Sequence, residues 1–283
     1  MKKKHGFTLI ELLVVIAIIA LLLSIIVPAL SLVKMKAASA VCLTNSKSLV
    51  LGWYMYQQEN DGRIMSAYSG HVNGWIKTPR DVNGNSLAID STIPPVTDED
   101  EIRGIQAGML WPYVDDPGAY HCPADKIRKS KYDGTTVFVS YAAAKCLYGN
   151  FGTDCHIKRY NEITSPSMRY VFVEIAEERN YTSGEMFRMG SPEETGYSAF
   201  GWWSPLAINH GDSSILGFSD GHAETQKWKN QYTIDRVTKL SRLNVPSYSI
   251  EYPPDEQKED IEFMACGWAY RHRSNNGGSG SGH

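Results

Sequence analysis

His210, Asp220, His222 and Glu224 are side chains of the types that bind divalent metals, and Glu174 ends a branched, apolar run that could add a fifth. Histidine with carboxylates suits zinc or manganese better than calcium, which prefers oxygen donors. The spacing argues against one compact site. About seven strand residues would separate His210 from Asp220, or ~23 Å at ~3.3 Å per residue, so the two fall at opposite ends unless the chain doubles back. Asp220-Gly221 is also explained fully as turn chemistry, since both residues tolerate positive φ. His222 and Glu224 share a strand face and could meet a ligand from elsewhere. A structural role is the preferred reading. A divalent-metal site built from Glu174, Asp220, His222 and Glu224 stays open, as does catalysis. The chain has no P-loop and no H-E-x-x-H, and no enzyme is expected.

A second chemically loaded position is Glu11. It stands at the edge of an apolar run whose 22 residues from Leu12 to Val33 carry no charge. At ~1.5 Å per residue that run spans a ~30 Å hydrocarbon core as a helix. A lone carboxylate there costs roughly 2.5–3.5 kcal/mol on insertion scales and is a functional signal. Three lysines precede the run, which predicts a cytoplasmic N-terminus and an exported remainder.

The segment Gly6-Phe-Thr-Leu-Ile-Glu11, followed by Leu12-Leu-Val14, resembles the class III signal of type IV pilins and type II secretion pseudopilins. The match lies in the short basic leader, the Gly-Phe pair and a Glu five positions after the Gly. The resemblance implies cleavage by a prepilin peptidase between Gly6 and Phe7, methylation of Phe7, and retention of the apolar helix. A secretory signal is instead cut after its apolar core. The processed chain would begin with a positive amine at Phe7, four residues from Glu11. Pairing of Glu11 with the amine of a neighbouring subunit would satisfy both charges and set the axial register. An uncleaved anchor, or a signal peptide cut at Ala38-Ser39-Ala40, are the competing readings.

The anchor is expected to continue to Gly62 as one helix. Met35, Cys42, Leu49 and Tyr56 recur every seven residues, with Ala38 and Trp53 on the same side, while Lys36, Lys47, Gln57 and Glu59 fall elsewhere. This stripe should pack on the head. Pro28 should kink or locally melt the lower half, and Asn60-Asp61-Gly62 supplies the stop.

Export places the five cysteines where disulfides are permitted. Cys146 and Cys155 flank a turn-rich loop and form one candidate pair. Cys42, on the buried stripe, could reach Cys122, and Cys266 is left over. No C-x-x-C spacing suggests a zinc ribbon.

The expected head is α+β and covers residues 63–274. Strands are expected at Thr136–Tyr141, Tyr170–Ile175, Ser214–Ser219 and His222–Lys227. The last two should form a hairpin on a two-residue Asp220-Gly221 turn, with Phe218 opposite Ala223. Helical pattern is weak outside Glu101–Tyr113, and Asp98–Glu101 reads as a solvated acidic loop without the calcium-loop series. Residues 275–283 read as a flexible tail. The formal charge of −3, or −6 without the three leader lysines, suggests no nucleic-acid surface. Seven Trp and 16 Tyr favour broad amphipathic contact surfaces.

His210, nine residues and Asp220-Gly221 also resemble the H-X9-DG signature of a pilin-like group from planctomycetes, verrucomicrobia and their relatives. Cys42-Leu-Thr-Asn45, Gly108-Met-Leu-Trp-Pro-Tyr113, Cys122-Pro-Ala-Asp125 and Asp220-Gly-His-Ala-Glu224 are similar to that group too. The resemblance supports the Cys42–Cys122 pair and, by analogy with major pseudopilins, calcium as the metal. The expectation is a single-pass inner-membrane protein with an extracytoplasmic head that assembles, with itself or with other pilins and pseudopilins, into a periplasmic or extracellular filament. Prepilin peptidase, an inner-membrane assembly platform and membrane lipid are the implied partners. A type II secretion pseudopilin is favoured over a surface pilin. An anchored metal-binding protein or hydrolase is the reading from a different class.

Overall fold

The computed structural model describes residues 9–87, 96–125, 138–148, 157–176, 186–190, 200–204, 206–243 and 250–268. The leader, Gly6, Phe7, Cys155 and the 275–283 tail lie outside the described residues.

The first element, α1 (Leu9–Glu59), is one helix of 51 residues, about 77 Å long. It runs through Pro28 without a break, so the expected local melting is absent. Proline removes one N–H bond, to the carbonyl four residues back, and the bonds on either side hold the helix together. The stop comes where the sequence places it. Asp61 and Gly62 take positive φ of 54° and 72°, and the Gly62 amide donates to the Gln57 carbonyl at 2.9 Å. The Asn60 side chain closes the Tyr56 carbonyl at 2.8 Å.

The head is α+β. Strands β1 (Tyr141–Ala144), β2 (Tyr170–Glu174), β3 (Met186–Phe187), β6 (Ser213–Phe218) and β7 (Ala223–Lys227) form a sheet of order β3-β1-β2-β6-β7. The four strands β1, β2, β6 and β7 are antiparallel, and β3 joins the β1 edge in parallel. A two-strand pair, β4 (Met189–Gly190) with β5 (Gly201–Trp202), stands apart. Helices α2 (Asp98–Gln106), α3 (Gln231–Leu243) and α4 (Glu259–Gly267) and four short 3-10 turns complete the described elements.

Four sequence expectations need correction. The first strand starts at Tyr141, where the expected one ends, because Ala142–Ala144 are small enough to be buried completely between neighbouring layers. Asp98–Glu101 is the first turn of α2, not a loop. Thr97 caps it and Asp100 returns the bond to the Thr97 amide, while the four acids complement the positive helix end. The β6–β7 hairpin turns through three residues, Ser219-Asp220-Gly221, so Gly217 rather than Phe218 faces Ala223. Only Gly221 there takes positive φ (97°), whereas the two-residue turn would need it at Asp220 as well. Gln57, placed off the stripe, is buried with it.

The upper part of α1 lies against β2, β6, β7 and the short 3-10 turn Pro117–Tyr120. Cys42, Leu49, Trp53 and Tyr56 of the stripe are buried, while Ala38 is half-buried and Met35 remains exposed. Close approach at this seam requires glycine. A Cβ on Gly217 of β6 would stand 2.5 Å from Val50 Cγ1 and 2.8 Å from Ser46 Oγ.

Candidate functional site

Two regions carry functional signals, the free half of α1 and a polar cluster beneath its docked half. From Leu9 to Val33 the large apolar side chains are exposed, and this is the described helix long and apolar enough to cross a membrane. Exposure of so much apolar surface requires a lipid or protein partner. Glu11 lies in its first turn.

The second region forms where four chain segments meet. Glu174 ends β2 with no solvent exposure. Its Oε2 accepts the Ile215 amide at 2.8 Å, and its Oε1 lies 3.1 Å from Nε2 of buried His210. The same Nε2 lies 3.4 Å from Cys122 Sγ. Cys42, reaching down from α1, completes the group. One donor atom from each of Cys42, Cys122, Glu174 and His210 falls within 4.8 Å of all the others.

The surroundings hold these residues in place. Asn45, one helical turn beyond Cys42, donates to the carbonyls of Gly118 (3.1 Å) and His121 (3.0 Å). That tie fixes the segment leading into Cys122 against α1. The Cys122 amide donates to Ser140 Oγ at 3.0 Å, and the Ser140 hydroxyl donates to Asp125 at 2.7 Å. The Tyr141 hydroxyl donates to the Cys42 carbonyl at 3.2 Å. The Cys42-x-x-Asn45 and Cys122-x-x-Asp125 segments are therefore two halves of one joint between helix and head.

Protons are held firmly here. Burial alone would lower the His210 pKa, but its hydrogen bonds to Cys122 and Glu174 and the Glu174 charge outweigh burial and hold it at about 10. The bond to Cys42, then burial, push the Cys122 thiol up. Burial, then the Glu174 charge, raise the Tyr141 hydroxyl well above its ordinary value.

The other half of the His210–Asp220-Gly221 signature is elsewhere. Strand β6 stands between them, about 20 Å of extended chain. At the turn, Asp220 Oδ1 and His222 Nδ1 pair at 2.5 Å on a surface more than a third open to solvent, and the His222 ring stacks on Phe218 at 4.4 Å. Glu224 is exposed on β7. The proposed ligand set of Glu174, Asp220, His222 and Glu224 is thus not assembled. Glu174 belongs with His210, and the turn residues pair locally.

Of the cysteine candidates, Cys42 and Cys122 are brought together as thiols, without a bond between the sulfurs. The Cys146–Cys155 pair involves a residue outside the described ones. Cys266 is an exposed thiol on α4. Sequence reasoning reached the Cys42–Cys122 proximity and considered His210 and Glu174 separately. It missed their convergence on the two sulfurs.

Residues 1–27 match the family model for the prokaryotic N-terminal methylation motif. No curated protein and no solved structure matches the chain. The motif and the long helix on an antiparallel α+β head together make the architecture type IV pilin-like.

Proposed function

We propose that this protein is a structural, non-catalytic subunit of a type II secretion pseudopilus. In this reading the subunit rests in the inner membrane with its head on the far side. Prepilin peptidase cuts between Gly6 and Phe7 and methylates Phe7. An assembly platform then lifts the subunit into a helical filament of its own kind or mixed with other pseudopilins.

The observation that carries the reading is the division of α1. One continuous helix offers a fully exposed apolar half with a single acid, Glu11, and a half buried on the head. The exposed half is long enough to span a bilayer and equally suited to pack among copies of itself once lipid is left behind. Glu11 would then pair with the Phe7 amine of the neighbouring subunit, so correct register removes two charges from an apolar interior at once.

A surface pilus uses the same physics, and the resemblance of the His210–Gly221 region to a pseudopilin-labelled group tips the choice. Deletion of the gene in its native host tests it. Exported proteins retained in the periplasm, with surface filaments unchanged, fit the pseudopilus. Loss of surface filaments with normal secretion assigns the subunit to a pilus instead.

A further inference from the structure

We propose that Cys42, Cys122, Glu174 and His210 form a tetrahedral zinc site that pins the spine helix to the head. The site is independent of the filament reading and of the turn residues Asp220 and His222.

The donor set is the first argument. Two thiolates, an imidazole nitrogen and a carboxylate oxygen are ligands that zinc takes in four-coordinate structural sites. The geometry is the second. Around zinc with bonds of about 2.0–2.3 Å, neighbouring donors stand roughly 3.3–3.8 Å apart. His210 Nε2 lies 3.1 Å from the Glu174 oxygen and 3.4 Å from the Cys122 sulfur, and all four donors fit within 4.8 Å. The third argument is placement. All four residues are buried, and they come from α1, the segment after the Pro117–Tyr120 turn, the end of β2 and the approach to β6. A disulfide between Cys42 and Cys122 would use two of the four and leave a buried His–Glu pair beside it. A metal uses all of them.

On binding, both thiol protons and any proton on Nε2 pass to solvent. Two thiolates and a carboxylate then oppose the zinc charge, and Glu174 keeps its second oxygen on the Ile215 amide. One ion would thereby join the helix to three segments of the head, with Asn45 and Tyr141 bracing the joint from either side.

The test uses the full chain, purified from membranes in detergent without chelator. Elemental analysis should find about one zinc ion per chain, and Cys122→Ser and His210→Ala should each lose it. Because a buried substitution can unfold a protein for other reasons, the unaltered chain supplies a second readout. Cobalt exchanged for zinc should give the intense visible bands of a tetrahedral site together with thiolate-to-metal charge transfer. Cys42 and Cys122 should resist alkylation until a chelator is added. A metal-free protein two hydrogens lighter than its thiol form, with a cross-linked Cys42–Cys122 peptide, would overturn the proposal in favour of a disulfide. Zinc retained undiminished in both variants would overturn it as well.

Discussion

Glu174 Oε1 and His210 Nε2 lie 3.1 Å apart in the interior of the head, although 36 positions separate them in sequence. The histidine thus works with a carboxylate on the neighbouring antiparallel strand and with two sulfurs from still farther away. The interval of ten between His210 and Asp220 is the length of one strand and its turn. The two ends of that interval do different jobs.

Separate jobs give separable defects. His210→Ala leaves a buried carboxylate without its partner and should cost about 3–5 kcal/mol in denaturant unfolding. Asp220→Asn keeps a turn-compatible side chain at an exposed position and should stay within about 0.5 kcal/mol. Equal losses from the two would contradict the division.

The seam between helix and sheet is tight at Gly217. Gly217→Ala would force a Cβ to 2.5 Å from Val50 Cγ1 and should cost about 1–3 kcal/mol. Shortening the opposing side chain by Val50→Ala should recover part of that loss in the double variant. Simple additivity would mean the two residues do not meet.

At the top of the helix, the Tyr113 hydroxyl donates to Glu59 at 2.7 Å. Burial, then the bond and charge of Glu59, push its pKa up to about 12. A tyrosine that holds its proton more tightly when folded stabilises the fold below its unfolded pKa of about 10. That contribution is lost as pH rises from about 10 to about 12. Denaturation curves at about pH 9 and about pH 11.5 should therefore show a smaller loss for Tyr113→Phe than for the unaltered chain. An identical loss in both would place the alkaline sensitivity elsewhere.

What could be read from the sequence follows from how local each signal is. A 22-residue run without charge has few alternatives to a long apolar helix, and branched strands such as Tyr170–Glu174 announce themselves. Asp98–Glu101 misled because charge was weighed before the Thr97–Asp100 capping pattern. The hairpin shifted by one because the choice between two and three turn residues depends on φ at Asp220. Ala142–Ala144 carry weak strand preference and become strand through burial between layers. The four-residue cluster was least legible. Its members are spread from position 42 to position 210, and nothing local ties them together.

Glu11 should matter to assembly and not to insertion. Glu11→Ala removes a carboxylate that disfavours the apolar phase, so the variant should still sediment with membranes. It should give no cross-linked ladder of assembled subunits in native membranes, where the unaltered chain gives one. A ladder in normal yield would rule out a charge-paired register.

The central claim is that the apolar helix is processed for filament entry rather than kept as a simple anchor. Mass measurement of the intact protein and of its N-terminal peptide, taken from native membranes, tests this most directly. The account predicts a chain that begins at Phe7 and carries one added methyl group. A chain that still begins at Met1, or one that begins at Val41, would contradict it.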